Sequence, residues 1–143
     1  MRKILASTLL FAVVLSVNAA QALDSSGTPV VVTPLADPTQ TASGQPIVLP
    51  QKNVQVLVST YDIAVGATLP VHKHPFARYA YVLAGTLKVT GIESGKSNTY
   101  QTGDFIVEMI GQWHQATNVG TGPVRLLVID QVEAGAKNTV LRQ

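Results

Sequence analysis

The chain has 143 residues, no cysteine and a formal net charge of +2. A chain this short supports one hydrophobic core rather than two, and the lack of cysteine excludes disulfides and thiolate catalysis. Two of its ten basic residues are Arg2 and Lys3; without them eight basic residues face eight acidic ones, which leaves no basic surface for nucleic acid or an anionic membrane.

The chain opens on Met1-Arg2-Lys3, runs through a mainly apolar stretch over residues 4–17 and reaches the small-x-small triplet Ala20-Gln21-Ala22. A positive start, a short apolar run and small residues at its end describe a secretory signal peptide over residues 1–22. The run falls short of the roughly 20 apolar residues that span a bilayer. The expected product is therefore cleaved, periplasmic or secreted, and not inserted in a membrane. Residues 23–45 are rich in Ser, Thr, Pro, Ala and Gly, a composition that does not bury enough surface to offset the entropy of ordering. They are expected to form a flexible N-terminal segment, in which Val30-Val31-Val32 offers an edge strand to the barrel or to a neighbouring subunit.

Residues 46–143 read as one barrel domain. Apolar and β-branched runs at 47–49, 54–63, 79–83, 86–90, 98–101, 105–109, 124–132 and 139–141 are separated by Gly66, Gly85, Gly91, Gly95, Gly103, Gly111 and the Gly120-Thr121-Gly122-Pro123 turn. Short strands punctuated in this way, with no competing helical period, predict an all-β sandwich or barrel.

The chain's three histidines are His72, His74 and His114. His72 and His74 flank Lys73 on a predicted strand, so both imidazoles point to one face. Gly66, His72, His74 and Gly85, followed by Gly103, Gly111, His114 and Asn118, match the spacing of both motifs of the cupin superfamily, which the chain thus resembles over residues 46–133. Two positions depart from the motifs. Arg78 stands where the first carries its glutamate ligand, and Met109 replaces the proline of the second.

The resemblance implies a cupin double-stranded β-helix, a jelly-roll-like barrel in which the motifs face each other. It carries His72, His74 and His114 over as ligands of one divalent transition metal ion, with Fe, Zn, Cu, Ni and Mn all open; the bland alternative is three hydrogen-bonded core imidazoles. It also suggests a homodimer. A guanidinium does not ligate metal, and at about 6 Å from a divalent ion its repulsion is on the order of 5 kcal/mol at an effective dielectric near 20. That calls for a compensating anion, either Glu108, as salt-bridge partner or substitute metal ligand, or an acidic ligand held by Arg78.

Cupins include enzymes and binding modules, so fold alone does not decide activity. The leading expectation is a metal-dependent dioxygenase, isomerase or decarboxylase acting on a small anionic or oxygen-rich molecule. In it Arg78 orients the substrate and Tyr79 or Glu108 supplies acid or base. The rival is a non-catalytic module that binds a small molecule or metal, and the third reading is a structural protein without an ion. Tyr79, Tyr81 and Trp113 also serve as plain packing, and Asp104 and Asn118 as turn residues.

Overall fold

The computed structural model describes residues 21–23 and 30–143, and the chain divides into one unit ending at Pro34 and another spanning Leu35–Gln143. Of the expected signal peptide, residues 1–20 lie outside the described residues. In the first unit β1 (Gln21–Leu23) pairs antiparallel with β2 (Val30–Val32), Ala22 opposite Val31. The valine triplet thus takes Gln21–Leu23 as its partner.

The second unit holds β3 (Val54–Ile63), β4 (His72–Lys73), β5 (Arg78–Ala84), β6 (Thr86–Gly91), β7 (Ser97–Gln101), β8 (Phe105–Val107), β9 (His114–Asn118), β10 (Val124–Glu133) and β11 (Val140–Leu141). No helix occurs among the described residues. One sheet runs β3-β10-β5-β8 and the other β11-β4-β9-β6-β7, with every strand pair antiparallel.

Alternation along the strands decides what lies between the sheets. β10 buries Val124, Leu126, Val128, Asp130 and Val132 and turns the residues between them outward; β5 buries Arg78, Ala80 and Val82; β9 buries His114, Ala116 and Asn118. Val124, Leu126, Val128, Ala80, Val82 and Ala116 from these rows join Ile63, Leu87, Val89, Ile106 and Met109 in one core. Each fully buried Val or Leu contributes about 1.5–3 kcal/mol. The interior therefore grades from an apolar region into one where the inward positions are His, Arg and Asp.

The β5–β6 turn depends on Gly85, whose φ is 88° and whose added Cβ would lie 2.7 Å from the Pro123 carbonyl oxygen; both facts demand glycine. The N-terminal segment meets the barrel earlier than composition indicates. Thr41 is buried, Ala42 N–H donates to the Val107 carbonyl, and Gln45 Nε2 donates to the Ile110 carbonyl at 2.9 Å. Composition misses this docking because its hydrogen bonds are made by backbone and amide groups rather than by an apolar pattern.

Candidate metal centre

Strand register assembles the histidines. β4 and β9 pair with His72 opposite His114, and His74, two residues on, returns to the same buried side. The ring centroids lie 4.4 to 4.9 Å apart.

All three rings are anchored at Nδ1 to a backbone carbonyl: His72 to Pro70 at 2.7 Å, His114 to Gln112 at 2.9 Å and His74 to Asn138 at 2.5 Å. A carbonyl only accepts, so Nδ1 carries the hydrogen, and in a neutral ring the lone pair sits on Nε2. A carbonyl that holds Nδ1–H in this way fixes the ring so that Nε2 is presented to a metal. The Nε2 atoms of His74 and His114 are buried without a hydrogen-bond partner, which costs free energy unless something coordinates them.

One ligand atom from each ring lies within 4.8 Å of the others. Three nitrogens bound at about 2.0–2.1 Å to one tetrahedral ion stand about 3.4 Å apart, so ring movements of no more than about 0.8 Å each close the site. The residues fit a metal.

Glu108 follows β8 and points its Oε2 at the same place, 3.1 Å from His114 Nε2 and 3.5 Å from His74 Nε2. At these distances a protonated Nε2 donates to the carboxylate, whereas an unprotonated one leaves its lone pair to a metal. Burial would raise the Glu108 carboxyl, but contact with His114 and then His74 outweighs it and holds the group well below the usual carboxylate range. His114 shows the counterpart: burial pushes it down, and the Glu108 carboxylate more than offsets that and raises it. His72 is driven down to about 4, chiefly by burial, against the pull of its bond to Pro70.

Arg78 is buried as its place in β5 requires, and its compensating anion is Asp130. Nε donates to Oδ1 at 2.7 Å and Nη2 to Oδ2 at 2.9 Å, with a further bond from Nη2 to Thr139 Oγ1 at 3.2 Å. The β10–β5 register sets Asp130 directly opposite Arg78. This corrects the expectation that Glu108 or an acidic ligand balances the guanidinium. The bidentate pair is closed already, and Glu108 is directed to the histidines.

Tyr79 alternates with Arg78 on β5 and so lies on the other face. Its hydroxyl donates to Gln131 Oε1 at 3.0 Å and its ring stacks on Phe105. This placement gives it packing on the face of β5 opposite to Arg78. Trp113 lines a depression of about 430 Å³ with Gly91, Glu93, Ser94, Gly111 and Gln112, a surface feature with no histidine in its wall.

Sequence reasoning missed Asp130 and Asn138. Asp130 left a signal, an acid on the inward phase of an otherwise apolar strand, two residues from Val128 and from Val132. Asn138 left none, because its partners are up to 64 residues away.

The cupin domain family matches residues 59–130, half of the chain, and the match spans all three histidines, Glu108 and Asp130. No curated protein matches the chain. Among solved structures it is similar to the polyketide cyclase RemF from Streptomyces resistomycificus, at 19% identity and a TM-score of 0.52 over 62% of this chain and 62% of that one. An oxalate oxidase in complex with the substrate analogue glycolate is 26% identical, with a TM-score of 0.51 over 60% of this chain and 45% of that one. The cupin domain of Cnp3 from Schizosaccharomyces pombe is 17% identical, with a TM-score of 0.51 over 59% and 61%. The matches thus cover less than two thirds of each of these structures. With two sheets in this topology and a family match across both histidine segments, the chain belongs to the cupin domain family.

Proposed function

We propose that this cupin is an exported metal-dependent enzyme acting on a small anionic or oxygen-rich molecule, with one divalent transition ion held by His72, His74 and His114 and with the Glu108 carboxylate beside it. The observation that carries this reading is the orientation of the rings: each Nδ1 is committed to a carbonyl, and two of the Nε2 atoms left over are buried, face only the Glu108 carboxylate and in a neutral ring make no hydrogen bond. Three imidazole nitrogens and a carboxylate oxygen suit iron, manganese, zinc, copper or nickel. Such an ion supplies Lewis acidity or a site for dioxygen when bound.

The chain's own contributions are distinct. Glu108 Oε2, next to two ligand nitrogens, either completes the donor set or accepts a proton from a bound hydroxyl or acid. Arg78 acts through its field, which reaches both Glu108 and His114, while its hydrogen bonds stay with Asp130. A bound molecule is held by the ion rather than by a guanidinium fork.

The test is elemental analysis of protein purified natively from the periplasm, followed by turnover assays. One ion per chain is expected, lost in His74→Ala and His114→Ala. Because an oxalate oxidase is among the structural relatives, oxalate and glycolate are the first compounds to try. Protein that carries no metal and takes none up sinks the proposal. Metal without turnover on a panel of small carboxylic acids selects the second reading, a non-catalytic binding module. That reading is favoured by the closure of Arg78 on Asp130, which leaves no unpaired cation beside the histidines among the described residues.

Export rests on residues 1–22 and is checked by cell fractionation. A homodimer is supported by β3, a terminal strand of its sheet on which Val54, Val56 and Val58 are all more than half exposed, the kind of apolar edge that pairs with another copy. Sedimentation velocity at two concentrations decides it.

A further inference from the structure

We infer that Asn138 is the positioning residue of the histidine centre: its carbonyl fixes the ring of His74, and its side-chain amide locks that carbonyl to the buried Arg78–Asp130 pair. As a role in metal binding this rests on the function proposed above; as control of the His74 tautomer it does not.

The three rings are not held alike. His72 and His114 each use the carbonyl two residues upstream, from Pro70 and Gln112, so their anchors come with their own strands. His74 takes its carbonyl from a residue 64 positions later, in the segment between β10 and β11 and outside the family match. Its orientation therefore depends on that segment being docked.

Asn138 is buried, and every polar atom of its side chain is used. Oδ1 accepts the backbone N–H of Phe76 at 2.8 Å. Nδ2 donates at 2.6 Å to Asp130 Oδ1, the oxygen that also accepts Arg78 Nε. The carbonyl is thus clamped by one bond into the β4–β5 connection and one into β10. Thr139 adds its bond to Arg78, and β11 then pairs with Lys73 and His72.

The chemistry of the position specifies asparagine. Phe76 N–H needs an acceptor, and the Asp130 carboxylate, acceptor-only when ionised, needs a donor; a primary amide supplies both. A carboxyl group at 138 would set two acceptors against each other, and an aliphatic group would leave all these bonds unmade in a buried place.

The test combines imidazole nitrogen NMR on the metal-free full-length chain with binding of cobalt(II), in the unsubstituted protein and in Asn138→Ala. In the unsubstituted chain His74 should carry its proton on Nδ1 and couple across the hydrogen bond to the Asn138 carbonyl. In Asn138→Ala the His74 signal should become a mixture of tautomers while His72 and His114 keep theirs, and cobalt affinity should fall about 10- to 100-fold, the usual effect of an outer-shell partner. A His74 proton found on Nε2 in the unsubstituted chain overturns the inference even when the variant does not fold. So does a folded variant whose His74 tautomer and cobalt affinity are unchanged, or one in which all three rings shift together, since that is general loosening. Cobalt bound by neither protein removes the metal reading, and the tautomer result then decides the role of Asn138 alone.

Discussion

Glu108 donates its backbone N–H to the carbonyl of Arg78 at 2.9 Å, so the two residues stand side by side where β5 and β8 stop pairing, one side chain closed on Asp130 and the other turned to His74 and His114. The first motif has exchanged its glutamate for an arginine, yet a carboxylate still reaches the histidines from the neighbouring strand. The negative charge has moved by one strand.

Glu108→Gln keeps the shape and removes that charge. Metal affinity measured by chelator competition should fall at least about tenfold, in the range for altered metal-site partners. In the metal-free protein the titration midpoint of His114 should drop, because the carboxylate is what holds it up against burial. An unchanged affinity would take Glu108 out of the donor set.

Asp130→Asn should destabilise the metal-free fold by about 3–5 kcal/mol, because it leaves a buried guanidinium without its anion. Both side chains are under a tenth exposed, so solvent does little to soften the loss. Arg78→Glu restores the motif's carboxylate but sets it against Asp130, and it too should unfold at lower urea. Combining it with Asp130→Asn removes that repulsion, and the double variant should recover stability over Arg78→Glu alone and bind metal more tightly than Asp130→Asn. No recovery would mean that the pair matters through packing rather than charge.

Most strands were legible because period-2 patterning and glycine turns report directly on a two-sheet fold. Run 124–132 became β10, run 86–90 became β6, and run 54–63 matches β3 to the residue. Run 47–49 forms no strand, and β9 was not foreseen, since two of the three residues in its inward row of His114, Ala116 and Asn118 are polar and so it lacks an apolar signature. The histidines were legible because their spacing survives in the linear chain. The ring anchors were not: a backbone carbonyl has no residue identity, and the Asn138 hub joins positions whose proximity only the folded topology creates. Arg78 was visible as an anomaly, while its partner required the register of two strands.

Asn118 shows how far a turn residue extends its influence. It is almost wholly buried, its Nδ2 faces the carbonyls of Ile63, Ala64 and Gly122, and its Oδ1 accepts Gly120 N–H at 2.9 Å. Asn118→Ala would strand these groups in a place closed to water and should cost more than about 2 kcal/mol. Metal affinity per folded molecule should be unaltered, because none of these bonds reaches a histidine. Urea denaturation and metal titration of the same sample separate the two effects.

The histidines also set the pH profile of the metal-free protein. His72 is depressed in the fold from 6.5 to about 4, so below pH 6.5 the unfolded chain takes up a proton that the buried ring refuses. Its contribution is complete above 6.5 and falls away towards about pH 4, on the order of 3 kcal/mol in all. Glu108, also depressed, contributes above its ordinary 4.5 and loses that as pH falls through its folded value. His114 is raised, so its share is complete below 6.5 and lost as pH climbs through its folded value. The three terms overlap near pH 6.5, and denaturation at about pH 4.5, 6.5 and 8.5 should find the greatest stability at the middle value. His72→Phe should flatten the acid side. Metal requires His114 to give up the proton that Glu108 favours, so affinity should rise with pH through neutrality. A profile without an acid-side fall would show that His72 is not sealed from water as its burial implies.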